Sequence, residues 1–276
     1  MQSRNILRRA GCAILLAAAC FATLAAAQTA PSNPPSSDND TWLAQTAKLY
    51  YSSSKAGLKG FDCTVKTDWQ ALYATQNGNQ VSAADGAKVA LLNSVQIAYH
   101  ARMDSGATVD WNPPDQQLDA SQTTLLKDMH DALNQTLTGF MQFWTPFVES
   151  SVIPESPDGL EMTTTDDGGK KIHLQQPTIE LTESFDSSRV LRQYNIVMEG
   201  TKIDVTPTYS ADSHGLLISH FHALLSPMND PAKVQDMSVD VSYQWLDGFP
   251  IPAHLFMGVA GVANLNVTFE NCTVQH

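Results

Sequence analysis

The chain has 276 residues, 43% of them apolar, and a formal net charge of −12. That apolar content over that length supports a sizeable core. So acidic a surface repels nucleic acid and anionic lipid headgroups, which excludes a DNA, RNA or peripheral-membrane role.

Residues 1–27 read as a cleavable secretory signal. Arg4, Arg8 and Arg9 supply the positive start, Ala10 to Ala26 the apolar stretch, and Ala25-Ala26-Ala27 the small residues of a cleavage site. The stretch is Ala-rich and broken by Gly11 and Thr23, short of the roughly 20 strongly apolar residues of a spanning helix. Cleavage removes three Arg and no acid, so −12 becomes −15, and the expected location is periplasmic or secreted. Leu16-Ala17-Ala18-Ala19-Cys20 resembles a bacterial lipoprotein box with Ala17 where a larger aliphatic residue is usual. Membrane anchoring through a lipidated Cys20 is therefore the alternative.

Residues 28–40, rich in Pro, Ser, Asn and Asp, read as a disordered linker, and 41–276 as a single α+β domain. Asp40 or Thr41 caps a first helix with Trp42, Leu43, Leu49 and Tyr50 at helical spacing, stopped by Gly57 and Gly60. Phe61, Cys63 and Val65 alternate with polar residues as a first strand. Residues 68–93 are helical with a turn at Asn77-Gly78, and Val95 to Met103 turns through Asp104-Ser105-Gly106 into Thr108 to Trp111.

The clearest helix begins at Asp119 or Ser121 and runs to Val148. Leu126, Met129, Leu133, Leu137, Phe140, Trp144, Phe147 and Val148 keep an i, i+3, i+4 stripe, with Pro146 expected to kink its end. Strand follows strand thereafter: Leu160 to Thr165, Lys171 to Gln175, Thr178 to Phe185, Val190 to Met198, Lys202 to Tyr209 and Leu216 to Leu225. Met237, Val239, Val241, Tyr243 and Trp245 then alternate with polar residues, Asp247-Gly248 makes a hairpin turn, and Leu265 to Val274 is the last strand. Helices early and adjacent strands late imply one antiparallel sheet with helices on one face.

Of the four cysteines, Cys12 and Cys20 lie in the signal, so Cys63 and Cys272 are expected to form one disulfide. Cys63 is in phase with Phe61 and Val65, but Cys272 is out of phase with Leu265, Val267 and Phe269. The bond therefore needs a bulge or twist near Asn271.

No Gly-x-Ser-x-Gly elbow, His-Glu-x-x-His, phosphate loop, Rossmann fingerprint or Cys-x-x-Cys pair is present, so the sequence implies no catalytic residue and no cofactor. His220 and His222 share a strand face and are the weak metal candidates, with Ile218 and Leu224 flanking them in phase. Glu180 and Glu183 fall on opposite faces of their strand and read as solvated surface. The Met and aromatic stripe of the long helix suits a deformable apolar lining. The candidate pocket is Met129, Leu133, Leu137, Phe140, Met141, Trp144 and Phe147, facing Val241, Tyr243 and Trp245.

The export signal, the opening helix leading into Gly60-Phe61-Asp62-Cys63-Thr64-Val65, the run Tyr243-Gln244-Trp245-Leu246-Asp247-Gly248-Phe249-Pro250-Ile251-Pro252 and the strand from Leu265 to Asn271 together resemble the periplasmic lipoprotein-carrier, or LolA-like, superfamily. The resemblance implies a curved, half-barrel-like antiparallel sheet whose concave apolar face, covered by helices, holds acyl chains. The chain departs from it in its long early helix and in lacking a strand-borne Arg-Pro dipeptide, so no functional residue is carried over. The expected function is an exported periplasmic or envelope protein binding or carrying a lipidic ligand, an acyl chain or a lipoprotein. The alternatives are a secreted metal-dependent hydrolase using His220 and His222, or a structural envelope protein without ligand.

Overall fold

The computed structural model describes residues 38–76, 80–145, 147–148, 152–230, 232–260 and 263–276. The signal, the lipoprotein-like box, most of the linker, the Asn77-Gly78 turn and the Pro146 kink lie outside these residues. The helices are α1 (Asp38–Ala47), α2 (Ser53–Ala56), α3 (Trp69–Gln76), α4 (Ala83–Asn93) and α5 (Ala120–Thr145). The strands are β1 (Gly60–Thr67), β2 (Gln96–Arg102), β3 (Gly106–Asn112), β4 (Glu161–Thr164), β5 (Lys170–Gln175), β6 (Ile179–Phe185), β7 (Leu191–Met198), β8 (Thr201–Asp212), β9 (Gly215–Pro227), β10 (Gln235–Leu246), β11 (Phe249–Val259) and β12 (Ala263–Gln275). These elements bear out the α+β class.

The described residues divide into two compact units, one of Ala56–Gln142 with Ser238–His276, the other of Phe143–Met237 with residues 38–55. The strands form an open sheet whose order falls into two runs, β3-β2-β1-β12-β11-β10 in the first unit and β9-β8-β7-β6-β5-β4 in the second. The pairings are antiparallel.

In the first unit, β1 buries Phe61, Cys63, Val65 and Thr67 on one face, as its period-2 pattern requires. Tyr99 on β2 sits at the centre, its ring 5.9 Å from Phe61 and 5.5 Å from Phe269. Its hydroxyl donates to the Leu137 carbonyl of α5 at 3.3 Å, and Thr138 donates to Ala107 at 3.4 Å, which ties the helix to β2 and β3. α5 starts on a reciprocal cap. The Gln122 amide donates to the Asp119 carboxylate at 2.8 Å, and the Asp119 amide donates to the Gln122 side chain at 3.0 Å. The Cys63–Cys272 disulfide is present, with Cα atoms 4.1 Å apart.

In the second unit, α1 begins at Asp38, two residues ahead of the expected cap and inside the stretch read as linker. It buries Leu43 and Thr46 and sets Trp42 edge-on to Phe185 on β6 at 5.3 Å. Tyr50 follows as an isolated parallel bridge to Leu216 of β9, with the Tyr51 amide donating to the Leu216 carbonyl and the Leu216 amide to that of Leu49. Gly169, at the β4–β5 turn, lies where a Cβ would stand 2.1 Å from the Phe185 carbonyl, so the turn admits no side chain. Helix α5 ends at Thr145, three residues short of the expected Val148; Phe143 near its end stacks on Phe221 of β9 at 3.8 Å, and Phe147 beyond it lies 6.1 Å from Tyr194 of β7.

Candidate functional site

The α5 stripe is closed from water. Met129, Leu133, Leu137, Phe140 and Met141, which fall in the first unit, and Trp144 and Phe147, which fall in the second, are each buried. On β10 the alternation holds through Met237, Val239 and Val241 and then fails. Tyr243 is half-buried and Trp245 is 38% exposed.

His220 and His222 take the half-buried phase of β9 while Phe221, Ala223 and Leu225 take the core. Ile218, in phase with the two His by sequence, is buried, because a register shift opposite Thr208 and Tyr209 moves the strand to its other face. His222 Nε2 lies 2.8 Å from Asp236 Oδ1. Among the described residues no three His, Cys, Asp or Glu side chains gather as a metal site. His222 lines a cavity of about 520 Å3 on the polar face of β5 to β9, with Lys171, Glu180, Asn195, Lys202 and Asp204 around it. Lys202 pairs with Asp204 at 2.9 Å, and Asn195 donates to the same carboxylate. Only Val197 and Leu224 of its lining are apolar, so this groove offers little to an acyl chain.

The opposite, inward face of the second unit holds a group that the sequence reading placed at the surface. Glu180 is exposed, but Glu183 is 2% exposed. Strand β6 buries Ile179, Leu181, Glu183 and Phe185 in strict alternation, so a carboxyl occupies an apolar position. The signal was available: Glu183 follows Ile179 and Leu181 in phase and precedes Phe185. Burial pushes its carboxyl up from 4.5 to about 8, so it is neutral at pH 7. Its Oε2 has no hydrogen-bond partner among the described residues.

Three tyrosines from three segments lie within electrostatic reach of that carboxyl. Tyr194 faces it across the β6–β7 pair. Tyr209, whose buried hydroxyl likewise has no hydrogen-bond partner among the described residues, stands on β8 edge-on to Tyr50 at 5.3 Å. The Tyr50 hydroxyl is occupied, accepting from the Leu191 amide at 2.7 Å and donating to the Arg189 carbonyl at 3.2 Å. Burial raises all three phenols, and the Glu183 charge raises each further, which places the four groups within electrostatic reach of one another. Phe185, Phe221, Phe143 and Phe147 of the same unit are buried apolar residues, and Phe147 lies 6.1 Å from Tyr194 of the cluster.

The first unit has its own polar cluster. Asp62 accepts from Arg102 at 2.8 Å and Gln275 at 2.8 Å, and its Oδ1 lies 2.6 Å from His100 Nδ1, whose Nε2 is 3.3 Å from Asp110. Partial burial raises the Asp62 carboxyl, but the His100, Arg102 and Gln275 hydrogen bonds outweigh it and hold the group below its usual range. These partners join β1, β2, β3 and β12 at one edge of the unit and read as a tie between strands.

No protein-family model matches the chain, and no curated protein matches it.

Proposed function

We propose that this is an exported periplasmic or envelope protein that binds or carries an apolar ligand, an acyl chain or an acylated lipoprotein, against the stripe of α5. The observation that carries this reading is the helix itself. Its stripe of Met, Leu and large aromatic residues is buried, and within the first unit Leu137 and Thr138 bond to β2 and β3, which supports the helix-on-sheet arrangement that a LolA-like carrier would use. In the proposed state the sheet curves as a half-barrel with the helices on its apolar face. Each part of α5 then meets the inward strand residues of its own unit, such as Val239 and Val241 for the first part. Met129 and Met141 allow that lining to adapt. Each buried CH2 contributes about 0.8 kcal/mol, so a chain of modest length binds after ordering costs are subtracted. The disulfide is consistent with export to an oxidising compartment.

The test is displacement of a fluorescent fatty acid by mature wild-type protein and by Leu133→Trp, with circular dichroism confirming that both are folded. Wild type should bind, and the variant should bind at least about tenfold more weakly because the indole fills the lining. No binding by wild type overturns the reading.

One observation favours a second reading, a hydrolase working in the outer groove, namely the His222–Asp236 pair beside Lys202, Asp204 and Thr206. Elemental analysis decides its metal-dependent form: stoichiometric zinc lost in His222→Ala would support it.

A further inference from the structure

We infer that Glu183, together with the Tyr209 hydroxyl, is a headgroup receptor, and that the ligand of the second unit is an amphiphile ending in a free carboxylic acid. This deepens the carrier reading and rests on it. It concerns the second unit alone.

On the inward face of β6 and β8 two buried polar atoms, Glu183 Oε2 and the Tyr209 hydroxyl, have no hydrogen-bond partner among the described residues. Leaving such groups unmade costs about 1–3 kcal/mol each, and a core strand would avoid that with Val or Leu at position 183. The buried residues of this face are otherwise apolar, with Phe185 two residues along β6, Phe143 of α5 stacked on Phe221, and Phe147, beyond the end of α5, 6.1 Å from Tyr194. An apolar wall with a hydrogen-bonding island selects a ligand whose tail is apolar and whose end is polar.

The protonation of the island decides which end. In this wall Glu183 is the neutral acid, so it presents an O–H donor and a carbonyl acceptor, and Tyr209 presents a second O–H. Both donors suit a carboxylate, which accepts from each of them. The pair of carboxyl groups then shares the single proton that Glu183 brought, as like charges in close contact require. An ammonium headgroup would instead need Glu183 ionised. The other titratable groups facing this point are Tyr194 from β7 and Tyr50 from the segment after α1, both raised, while Asp186 and Arg192 near Tyr50 neutralise one another at 2.7 Å. None supplies a competing titration near neutral pH.

The experiment is calorimetric titration of the delipidated mature chain with dodecanoic acid, its methyl ester and dodecylamine, each at pH 6.5 and pH 9. The acid should bind about tenfold more weakly at pH 9, where Glu183 has ionised and repels it, and the ester should show no such change. Glu183→Gln, which keeps a donor and does not titrate, should bind the acid equally at both pH values. Tyr209→Phe should weaken the acid and leave the ester unchanged, a second readout should the first variant fold poorly. A wild-type affinity for the acid that does not move with pH, or moves equally in Glu183→Gln, overturns the inference, as does an amine that binds more tightly at pH 9. If the ester binds under either of those outcomes, the carrier reading stands without this headgroup. If none of the three binds, both fall.

Discussion

Cys63 meets Cys272 because β12 carries one residue more than β1 at the point where they face each other. Thr273 pairs with Asp62 and Glu270 with Thr64, so Asn271 and Cys272 together stand opposite Cys63. Asn271 takes a φ of 50°, a left-handed conformation that Asn tolerates, and this resets the phase of the strand. Cys272 is thereby turned to the face of Cys63, and the Cα atoms come within 4.1 Å. The bond closes a sequence separation of 209 residues, for which the chain-entropy argument gives about 5 kcal/mol as an upper value. Thiol titration of unreduced, denatured protein should find no free Cys63 or Cys272. Cys63→Ser with Cys272→Ser should lower the stability to chemical denaturation by about 2–5 kcal/mol.

The start of α5 makes a second prediction. Asp119 and Gln122 each satisfy the other's backbone amide, so the cap links the helix to the chain before it. Asp119→Ala removes one side of that exchange and a negative charge from the positive end of the helix. It should cost about 1 kcal/mol in a urea titration, and Asp119→Asn, which can still accept, distinctly less.

These two features show what the sequence could and could not convey. The reciprocal cap and the need for a bulge at Asn271 follow from local spacing alone, as do the alternations of β1 and of β10 up to Val241. The missing pieces depend on partners distant in the chain. Strand β11 carries Pro250 and Pro252, which lack a donor N–H and hide the strand in a sequence reading. The register shift opposite Tyr209 moves Ile218 to the core face and breaks the phase shared with His220. Trp245 keeps the period of its strand yet is 38% exposed. At Glu183 charge and phase point to opposite faces, and its position between Leu181 and Phe185 is the stronger signal.

The tie at Asp62 gives a third prediction. One carboxylate serves Arg102, Gln275 and His100, and so joins β1 to β2 and β12. Asp62→Asn keeps the shape and removes the charge. The site is partly open to solvent, so the loss should be modest, about 1 kcal/mol. The Asp62 carboxyl is held below its unfolded value, so its contribution is present above about pH 4 and is lost as pH falls further. Acid unfolding of Asp62→Asn should therefore be less steep than that of wild type at the lowest pH, as read by tryptophan fluorescence.

Glu183 acts in the opposite sense. Its carboxyl is raised in the folded chain from 4.5 to about 8, so between those values the folded state holds a proton that the unfolded state has released. Stability is then fully present below about pH 4.5 as far as this group is concerned, falls as pH rises, and reaches its floor above about pH 8. The steepest slope is about 1.4 kcal/mol per pH unit. Wild-type stability in urea should decline from pH 5 to pH 8 even though most surface carboxylates are already ionised there. Glu183→Gln should flatten that decline. Glu183→Leu, which replaces an under-partnered buried acid by a side chain matched to Leu181 and Phe185, should flatten it too and raise the stability at pH 8 above that of wild type. A wild-type profile level across this range, or a Glu183→Leu chain less stable than wild type at pH 8, would mean that the carboxyl is solvated or paired in solution. A gain in stability on removing the acid, joined to a loss of pH-dependent binding of dodecanoic acid, is the pattern expected of a residue retained for its ligand at the expense of the fold.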